Sequence, residues 1–225
     1  MYKTEEFLVQ SILDRFEKKW IWIKKYHKNK VKVLTEVNLW YWIPDIVVIH
    51  KKNTLTKIRD NALNMFDINI LDIIKNKKEI NIDWLLDVTK SSKTRINQSL
   101  SILVNEKIIS QTWKDNFIYT DYNTDISDCI AIEVKLKNWK RALHQAHRYQ
   151  WFANQSYVLL PESNIQPALK KIELFKNFNV WLLWFEKDKI IKHFIPSKEK
   201  PISSKMNYLL NEEMILRKSL KYSHW

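Results

Sequence analysis

The sequence of 225 residues contains no glycine. A P-loop and a dinucleotide-binding fingerprint both need glycine where the backbone approaches a phosphate, so both kinds of nucleotide site are excluded. Without glycine, the tight turns of the chain are expected to use Asn, Asp, Lys or Pro residues.

Cysteine and long apolar runs are also scarce. Cys129 is the single cysteine, which excludes an internal disulfide and fits a reducing cytoplasm. No apolar run approaches the roughly 18 residues that predict a transmembrane helix. The first six residues, Met-Tyr-Lys-Thr-Glu-Glu, do not have the pattern of a signal peptide. These features predict a cytoplasmic protein with no membrane partner.

Basic residues are in clear excess over acidic ones. The formal net charge is +13 at pH 7, which favours a polyanionic partner. The charge is net +6 over residues 1–65, zero over 66–122 and +7 over 123–225. The positive field therefore belongs to the two outer segments. A hydrophobic content of 45% indicates that the chain folds.

A single carboxylate begins the first strongly apolar segment. Asp45 precedes residues 46–49, Ile-Val-Val-Ile, which predict a buried strand. Pro44 lies at the beginning of that strand, where proline is tolerated.

A second apolar segment, residues 129–136, contains Glu133 and Lys135. Because side chains alternate between the two faces of a strand, this pair shares one face. Ile132, Val134 and Leu136 share the other face and can enter a core. Burying a charged pair costs free energy unless something compensates it, so a surface pair on an edge strand is the alternative.

A helix is predicted after this strand. Gln145 and Tyr149 are four residues apart and so lie on one face of it. The chain thus contains, in order, Pro44-Asp45, Glu133-x-Lys135 and Gln145-x-x-x-Tyr149. This order resembles the PD-(D/E)XK nuclease superfamily, with a last element similar to that of its RecB-type branch.

The resemblance implies a metal-dependent nuclease site. Asp45, Glu133 and the backbone carbonyl of Val134 would bind Mg²⁺ or Mn²⁺, which prefer oxygen ligands. Lys135 would orient the attacking water or stabilise the transition state. Gln145 and Tyr149 would position the substrate backbone or the water.

Further residues of the two predicted helices are candidates for the site. Glu5 lies at the centre of the apolar stripe of a helix predicted over 3–20, and many superfamily members place a first-helix glutamate at the metal. The alternative is an ordinary first-turn acid, favoured by the helix dipole. Arg148 and Tyr149 are predicted DNA contacts. Trp139 is expected to lie in the core, with base stacking as the alternative.

The remaining elements complete a predicted α/β fold with a restriction-endonuclease-like αβββαβ core. Strands are expected at 30–39 and 156–160, helices at 165–178 and 204–221, and a hairpin pairing 180–185 with 190–194.

Asp45 and Glu133 lie 88 positions apart, too far for a simple connection between neighbouring strands. Within them the pattern predicts helices at 68–77, 82–88 and 92–105, and strands at 108–113 and 117–120. This arrangement resembles a winged helix-turn-helix domain, although Lys107 replaces the usual glycine before the wing. We therefore predict an inserted domain at 63–122 within a discontinuous core, 1–62 and 123–225.

The third helix of such a domain enters the DNA major groove through its N-terminal half. Here that half carries groups suited to phosphates and base edges, namely Lys93, Arg95, Asn97 and Gln98. The zero net charge of residues 66–122 favours the alternative, a domain that contacts a protein partner or forms a homodimer.

Together these patterns predict a Mg²⁺- or Mn²⁺-dependent deoxyribonuclease, preferably an endonuclease, acting on duplex or branched DNA. A DNA-binding regulator with a non-cutting core is the first alternative, opposed by the presence of Asp45, Glu133 and Lys135 together. A nuclease acting on RNA is the second, and a winged helix suits B-form grooves better than A-form ones.

Overall fold

The computed structural model describes residues 3–19, 31–52, 62–113, 115–186, 189–192 and 197–222. The chain forms two compact units. The first comprises Met1–Thr54 and Asp125–Asn207, and the second comprises Leu55–Thr124 and Tyr208–Trp225.

The secondary structure is mixed α and β. The helices are α1 (Glu5–Lys19), α2 (Met65–Lys77), α3 (Ile82–Thr89), α4 (Lys93–Asn105), α5 (Trp139–Arg148), α6 (Gln166–Leu169), α7 (Ile172–Asn177) and α8 (Ser204–Tyr222). The strands are β1 (Val31–Thr35), β2 (Ile46–Lys51), β3 (Glu79–Asn81), β4 (Ile109–Gln111), β5 (Asn116–Tyr119), β6 (Ile126–Val134), β7 (Gln155–Pro161), β8 (Val180–Glu186) and β9 (Lys189–Lys192).

A mixed sheet of six strands, in the order β1-β2-β6-β7-β8-β9, forms the first unit. The pairs β1–β2, β2–β6 and β8–β9 are antiparallel, whereas β6–β7 and β7–β8 are parallel. Because β6 has a partner on each side, it is a central strand. The alternative of a Glu133–Lys135 pair on an edge strand is therefore wrong.

The two faces of β6 have different partners. Ile130, Ile132 and Val134 belong to one core cluster together with Leu8 and Ile12 of α1. This confirms the predicted apolar face of the strand and the apolar stripe of the first helix. On the other face, α5 packs beside β6 and β7. Glu133 points to that face because of the alternation along the strand.

The second unit combines α2, α3 and α4 with a three-stranded antiparallel sheet in the order β3-β5-β4. Its core contains Leu71, Leu85, Ile96 and Phe117. The three predicted helices and the two predicted strands are present. The short β3 was not predicted, because three residues are too few for a period-two pattern to be recognised.

The second unit includes the end of the C-terminal helix α8, which the predicted domain boundaries assigned to the first. Glu212 of α8 is buried and accepts a hydrogen bond of 2.6 Å from the backbone N–H of Leu63, and another from the Tyr122 hydroxyl. Tyr208 packs on the Tyr122 ring at 4.3 Å. The end of α8 thus completes the core of the second unit, although its sequence lies in the segment assigned to the first.

Other predicted elements differ in their bounds. The helix expected over 165–178 is two short helices, α6 and α7, because Lys171 leaves the helical conformation with φ −123° and ψ 30°. The strand expected over 30–39 ends at Thr35, since Glu36 has φ 47°. The predicted hairpin turn at 187–188 and the strand end at 193–194 lie outside the described residues.

Residues other than glycine adopt the left-handed turn conformations. Positive φ angles occur at Glu36, Trp40, Lys78, Lys90, Lys107, Asp115 and Asn179. Lys107 has φ 59° just before β4, where the wing resemblance expects glycine. Asn, Asp and Lys were predicted in this role, whereas Glu36 and Trp40 were not. An aromatic residue in this region is conformationally unfavourable.

Within the described part of the chain, no helix is both long enough and apolar enough to cross a bilayer.

Glu212→Ala should lower the free energy of unfolding of the second unit by about 1–3 kcal/mol, because it leaves the Leu63 N–H and the Tyr122 hydroxyl buried without this acceptor. Glu213→Ala is the matched control, since Glu213 is less buried and pairs with Arg217 one turn later. Urea denaturation followed by circular dichroism measures both. Equal losses in the two variants would contradict this role of Glu212.

Candidate active site

Four charged side chains from separate parts of the chain meet at one end of the large sheet. Glu5 lies in the first turn of α1, Asp45 directly precedes β2, and Glu133 and Lys135 lie at the end of β6. The Lys135 ammonium is 2.8 Å from Glu133 Oε1, 3.2 Å from Glu5 Oε2 and 3.8 Å from Asp45 Oδ2. The structure therefore brings together four of the five residues predicted to be catalytic.

Strand pairing fixes the position of Asp45. Ile46 lies opposite Ile132 in the β2–β6 ladder, so Asp45 comes beside the end of β6. Its Oδ2 atom accepts a hydrogen bond of 2.7 Å from the backbone N–H of Val134. A carboxylate held by a backbone donor at a strand end has little rotational freedom.

Glu133 is the most deeply buried charged group of this cluster, with 1% of its surface exposed. Its Oε1 atom meets Lys135, and its Oε2 atom accepts a hydrogen bond from the Tyr149 hydroxyl. The same hydroxyl is 3.4 Å from the carbonyl of Ile43. Both oxygens of Glu133 thus have partners, which compensates part of the cost of its burial.

Lys135 is surrounded by oxygen atoms. Besides the three carboxylates, its ammonium donates to the carbonyl oxygen of Val134 at 3.0 Å. Glu5 also accepts a weak hydrogen bond, 3.4 Å long, from the backbone N–H of Leu136. Oxygen atoms of four residues thus surround one positive charge. Three of these residues are the predicted metal ligands Asp45, Glu133 and Val134.

The pKa values of the cluster reflect burial first and the neighbouring charges second. Burial raises the pKa of Asp45, against the lowering effect of the Val134 N–H. Burial and the neighbouring Asp45 raise the pKa of Glu133. For Lys135, burial favours the neutral amine, but the hydrogen bond and charge of Glu133 outweigh it and raise the pKa. Three ionised carboxylates and one ammonium leave the cluster with a net charge of −2.

This donor set fits a hard divalent cation. Carboxylate and carbonyl oxygens are the ligands that Mg²⁺ and Mn²⁺ prefer, and a divalent ion would neutralise the excess charge. Among the described residues, no three Asp, Glu, His or Cys side chains are arranged to hold one ion, and the Lys135 ammonium lies among the carboxylates. A cation held by Asp45 and Glu133 would therefore compete with that ammonium for the same oxygens.

Gln145 remains apart from this cluster. It is half-buried one helical turn before Tyr149, and its Oε1 atom is buried without a hydrogen-bond partner. An unsatisfied buried acceptor has a cost in folding free energy, which is consistent with a group kept for a ligand or water.

Two predicted DNA contacts on this helix have different environments. Tyr149 is only 2% exposed and donates to Glu133, so it positions the carboxylate. Its predicted role as a DNA contact does not fit this burial. Burial, followed by the charge of Glu133, raises the pKa of Tyr149, so its hydroxyl stays a proton donor. Arg148, in contrast, is exposed.

Arg148 belongs to a basic surface along α5. The exposed side chains that begin just before this helix and continue along it include no acid, and they are Lys137, Asn138, Lys140, Arg141, His144 and Arg148. We call this set the α5 basic face. It starts two residues beyond Lys135 and ends at Arg148, which directly precedes Tyr149 in the chain.

A separate polar surface lies on α4 of the second unit. Lys93, Asn97 and Gln98 are exposed there and line a shallow depression. Arg95 is exposed on the flank of the helix, where its guanidinium packs over the Phe66 ring at 4.1 Å. The four residues predicted to bind DNA thus remain accessible, with Arg95 the most constrained.

Sequence reasoning missed the exposed aromatic residues beside the charged cluster. Trp139 is buried against Phe175, so the predicted core position is confirmed and the alternative of base stacking is not. Trp40 and Tyr41 are exposed instead, a few residues before Asp45. Their position between two predicted strands did not distinguish exposed from buried rings in the sequence.

Comparison with protein-family models, with curated proteins and with solved structures found no match to this chain.

Asp45→Asn should make the folded protein more stable at pH 7. The raised pKa means that the folded state binds this proton more tightly than the unfolded state, so the contribution of Asp45 to the unfolding free energy falls as the pH rises through its folded pKa. The amide oxygen can still accept from the Val134 N–H.

The gain in the free energy of unfolding should shrink as the pH falls below the ordinary aspartate pKa of 3.8, where Asp45 of the wild type is protonated in both the folded and the unfolded state. Thermal denaturation of both proteins across this pH range measures the difference. Asp14→Asn, an exposed site on α1, is the control and should change little. A variant less stable than the wild type at pH 7 would contradict the charge excess.

Proposed function

We propose that the protein is a metal-dependent DNA nuclease that hydrolyses phosphodiester bonds. The observation that carries this proposal is the convergence of Glu5, Asp45 and Glu133 on Lys135, from segments up to 130 residues apart in the chain. Acidic oxygens beside a lysine are the groups needed to hold a cation and to stabilise a phosphate that gains negative charge.

Each residue has a distinct role in this proposal. Asp45, Glu133 and the Val134 carbonyl would hold Mg²⁺ or Mn²⁺, which when bound supplies a Lewis acid for the phosphate and lowers the pKa of the attacking water. Tyr149 keeps the Glu133 carboxylate in one orientation. Glu5 restrains Lys135 and Leu136 at the strand end, and Gln145 offers an acceptor to the substrate or to a water.

Lys135 contributes in the transition state more than in the ground state. Its raised pKa keeps the amine protonated at neutral pH, so the ammonium can stabilise the negative charge that develops on the phosphate oxygens. The flexible side chain of a lysine would allow this ammonium to reach those oxygens.

The distribution of charge supports DNA as the substrate. The α5 basic face begins beside Lys135 and offers several cations at the spacing of a helix, suited to a phosphate backbone. A restriction-endonuclease-like core is consistent with the order α1, β1, β2, β6, α5 around the charged cluster.

We propose further that the second unit is a winged helix that positions the DNA. Three helices followed by the antiparallel β4–β5 hairpin support this, together with the exposed polar groups of α4. The neutral charge of residues 66–122 favours a protein-binding role for the same surface, and the salt dependence of DNA binding distinguishes the two.

Lys135→Ala should lower the single-turnover cleavage rate by roughly 100- to 1000-fold, with little loss of DNA affinity. Lys135→Arg should restore the rate only in part, because a planar guanidinium does not replace a compact ammonium. The assay uses supercoiled, linear, single-stranded and branched DNA with Mg²⁺ or Mn²⁺, at saturating protein.

Lys137→Ala is the matched control, since Lys137 is an exposed lysine two residues away, on the α5 basic face. It should weaken DNA binding without changing the saturated rate. If the wild type cuts no form of DNA with either metal, the nuclease proposal fails and a non-cutting DNA-binding regulator is the better account.

Lys93→Ala combined with Arg95→Ala should weaken duplex binding and flatten its dependence on salt. The slope of log affinity against log salt should fall by about 0.9 for each phosphate that the variant no longer neutralises. Lys77→Ala, an exposed lysine of α2, is the control. Unchanged affinity and slope in the double variant would favour a protein partner for α4.

A further inference from the structure

A pair of exposed aromatic rings lies immediately before the candidate active site. Trp40 is 54% exposed and Tyr41 is 77% exposed, unusually high values for large apolar side chains. Their ring centroids are 5.4 Å apart and their planes differ by only 16°, so the two rings stack on each other. We call Trp40 and Tyr41 the aromatic pair.

The backbone that presents this pair is strained. Trp40 has φ 68°, and the N–H of Tyr41 donates to the carbonyl of Leu39 at 2.9 Å. This is a γ-turn with a positive φ at its central residue, a rare and unfavourable form. Strain at a bulky residue persists where the surrounding structure fixes it, and such positions cluster at ligand-binding sites.

Contacts on both sides hold the turn in place. Leu39 and Trp42 form an isolated β-bridge across it, and Asn38 Oδ1 accepts from the Trp40 N–H at 3.0 Å. Trp42 packs on Trp151, with ring centroids 5.7 Å apart. The turn therefore presents its two exposed rings from a fixed base.

A further contact connects the turn to the charged cluster. The carbonyl of Ile43 is 3.4 Å from the hydroxyl of Tyr149, which donates to Glu133. Asp45 follows two residues after Ile43, and Trp151 comes three residues after Arg148, the last residue of the α5 basic face. The turn is thus linked to the carboxylates through Ile43 and Tyr149, and Trp151, on which Trp42 packs, follows the α5 basic face closely in the chain.

This combination identifies the kind of ligand. Sites for single-stranded nucleic acid join cations that follow the backbone with aromatic rings on which bases stack. In an intact duplex the faces of the bases are already stacked on each other, so no base is accessible for stacking on these rings. Exposed apolar surface continues beside the pair at Ile43 and Trp151, so a docked protein is the alternative that the test must exclude. The cations of the α5 basic face favour a nucleic acid instead.

We propose that the aromatic pair is a stacking platform for an unpaired base of the DNA strand that enters the site. The preferred substrate is then DNA with a single-stranded segment beside the cleaved bond: a single strand, a frayed end or a branch. This inference rests on the proposed nuclease function for its purpose, but its test requires no cleavage.

The test measures the binding of labelled 20-nucleotide DNA in EDTA, as a single strand and as a duplex, by fluorescence anisotropy. Trp40→Leu with Tyr41→Leu should weaken single-strand binding by about 5- to 150-fold, the range for losing one base–aromatic stack. Duplex affinity should change little. Trp40→Phe with Tyr41→Phe should retain most of the single-strand affinity.

Two further variants separate stacking from damage to the turn. Trp40→Asn removes the large ring but suits a positive φ better than tryptophan does, so it should weaken single-strand binding while leaving the melting temperature unchanged or higher. Leu174→Ala, an exposed apolar residue of α7, is the control and should bind as the wild type does.

A single strand with 2-aminopurine reports the stack directly, since its fluorescence is quenched when it stacks on an aromatic ring. The quenching should disappear in the leucine double variant. The proposal is overturned if that variant binds the single strand as tightly as the wild type, or if single strand and duplex weaken by the same factor.

The outcomes are distinguishable from those of the nuclease test. A protein that binds single strands through the aromatic pair but never cuts would overturn the proposed function alone. One that cuts in a Lys135-dependent way, and binds single strands normally without the aromatic pair, would overturn the platform alone.

Discussion

The burial of Glu133 in a central strand is the constraint on which the site depends. An ionised carboxylate with 1% exposure needs compensation on every side. Tyr149, directly after α5, supplies a donor, and Lys135, directly after β6, supplies a charge. This compensation is incomplete, because the charge of the nearby Asp45 raises the pKa of Glu133 further. Buried groups with shifted pKa values cluster at functional sites, which supports the proposed function.

The turns of the chain contain a second set of unfavourable conformations. Without glycine, seven described residues have positive φ angles despite their Cβ atoms. Most are Lys, Asn or Asp, which tolerate this region at modest cost. Glu36 and Trp40 are the exceptions. The bulk of Trp40 makes the conformation most unfavourable there, and the compensation comes from the Leu39–Trp42 bridge and the packing of Trp42 on Trp151. This unfavourable turn lies directly before Asp45.

Much of the site could be predicted from the sequence, because the alternation of a strand is a short-range property. It placed Glu133 and Lys135 on one face and Ile132 on the other, as the structure has them. The contact of Tyr149 with Glu133 depends on how α5 packs, which no local pattern records. The same holds for Glu212, whose helix completes the second unit across 149 residues of sequence. Long-range partners of buried polar groups were therefore the part that sequence reasoning could not supply.

The central claim is that the oxygens around Lys135 form a divalent-cation site. Titration of the protein with Mn²⁺, followed by electron paramagnetic resonance, counts bound ions without requiring any substrate or cleavage. The account predicts saturable binding by the wild type and strong weakening by Asp45→Asn and by Glu133→Gln. Binding should also weaken as the pH falls, from a higher pH than for free carboxylates, because both carboxyls have raised pKa values and must lose their protons. Equal Mn²⁺ binding by the wild type and both variants, or none at any pH, would contradict it.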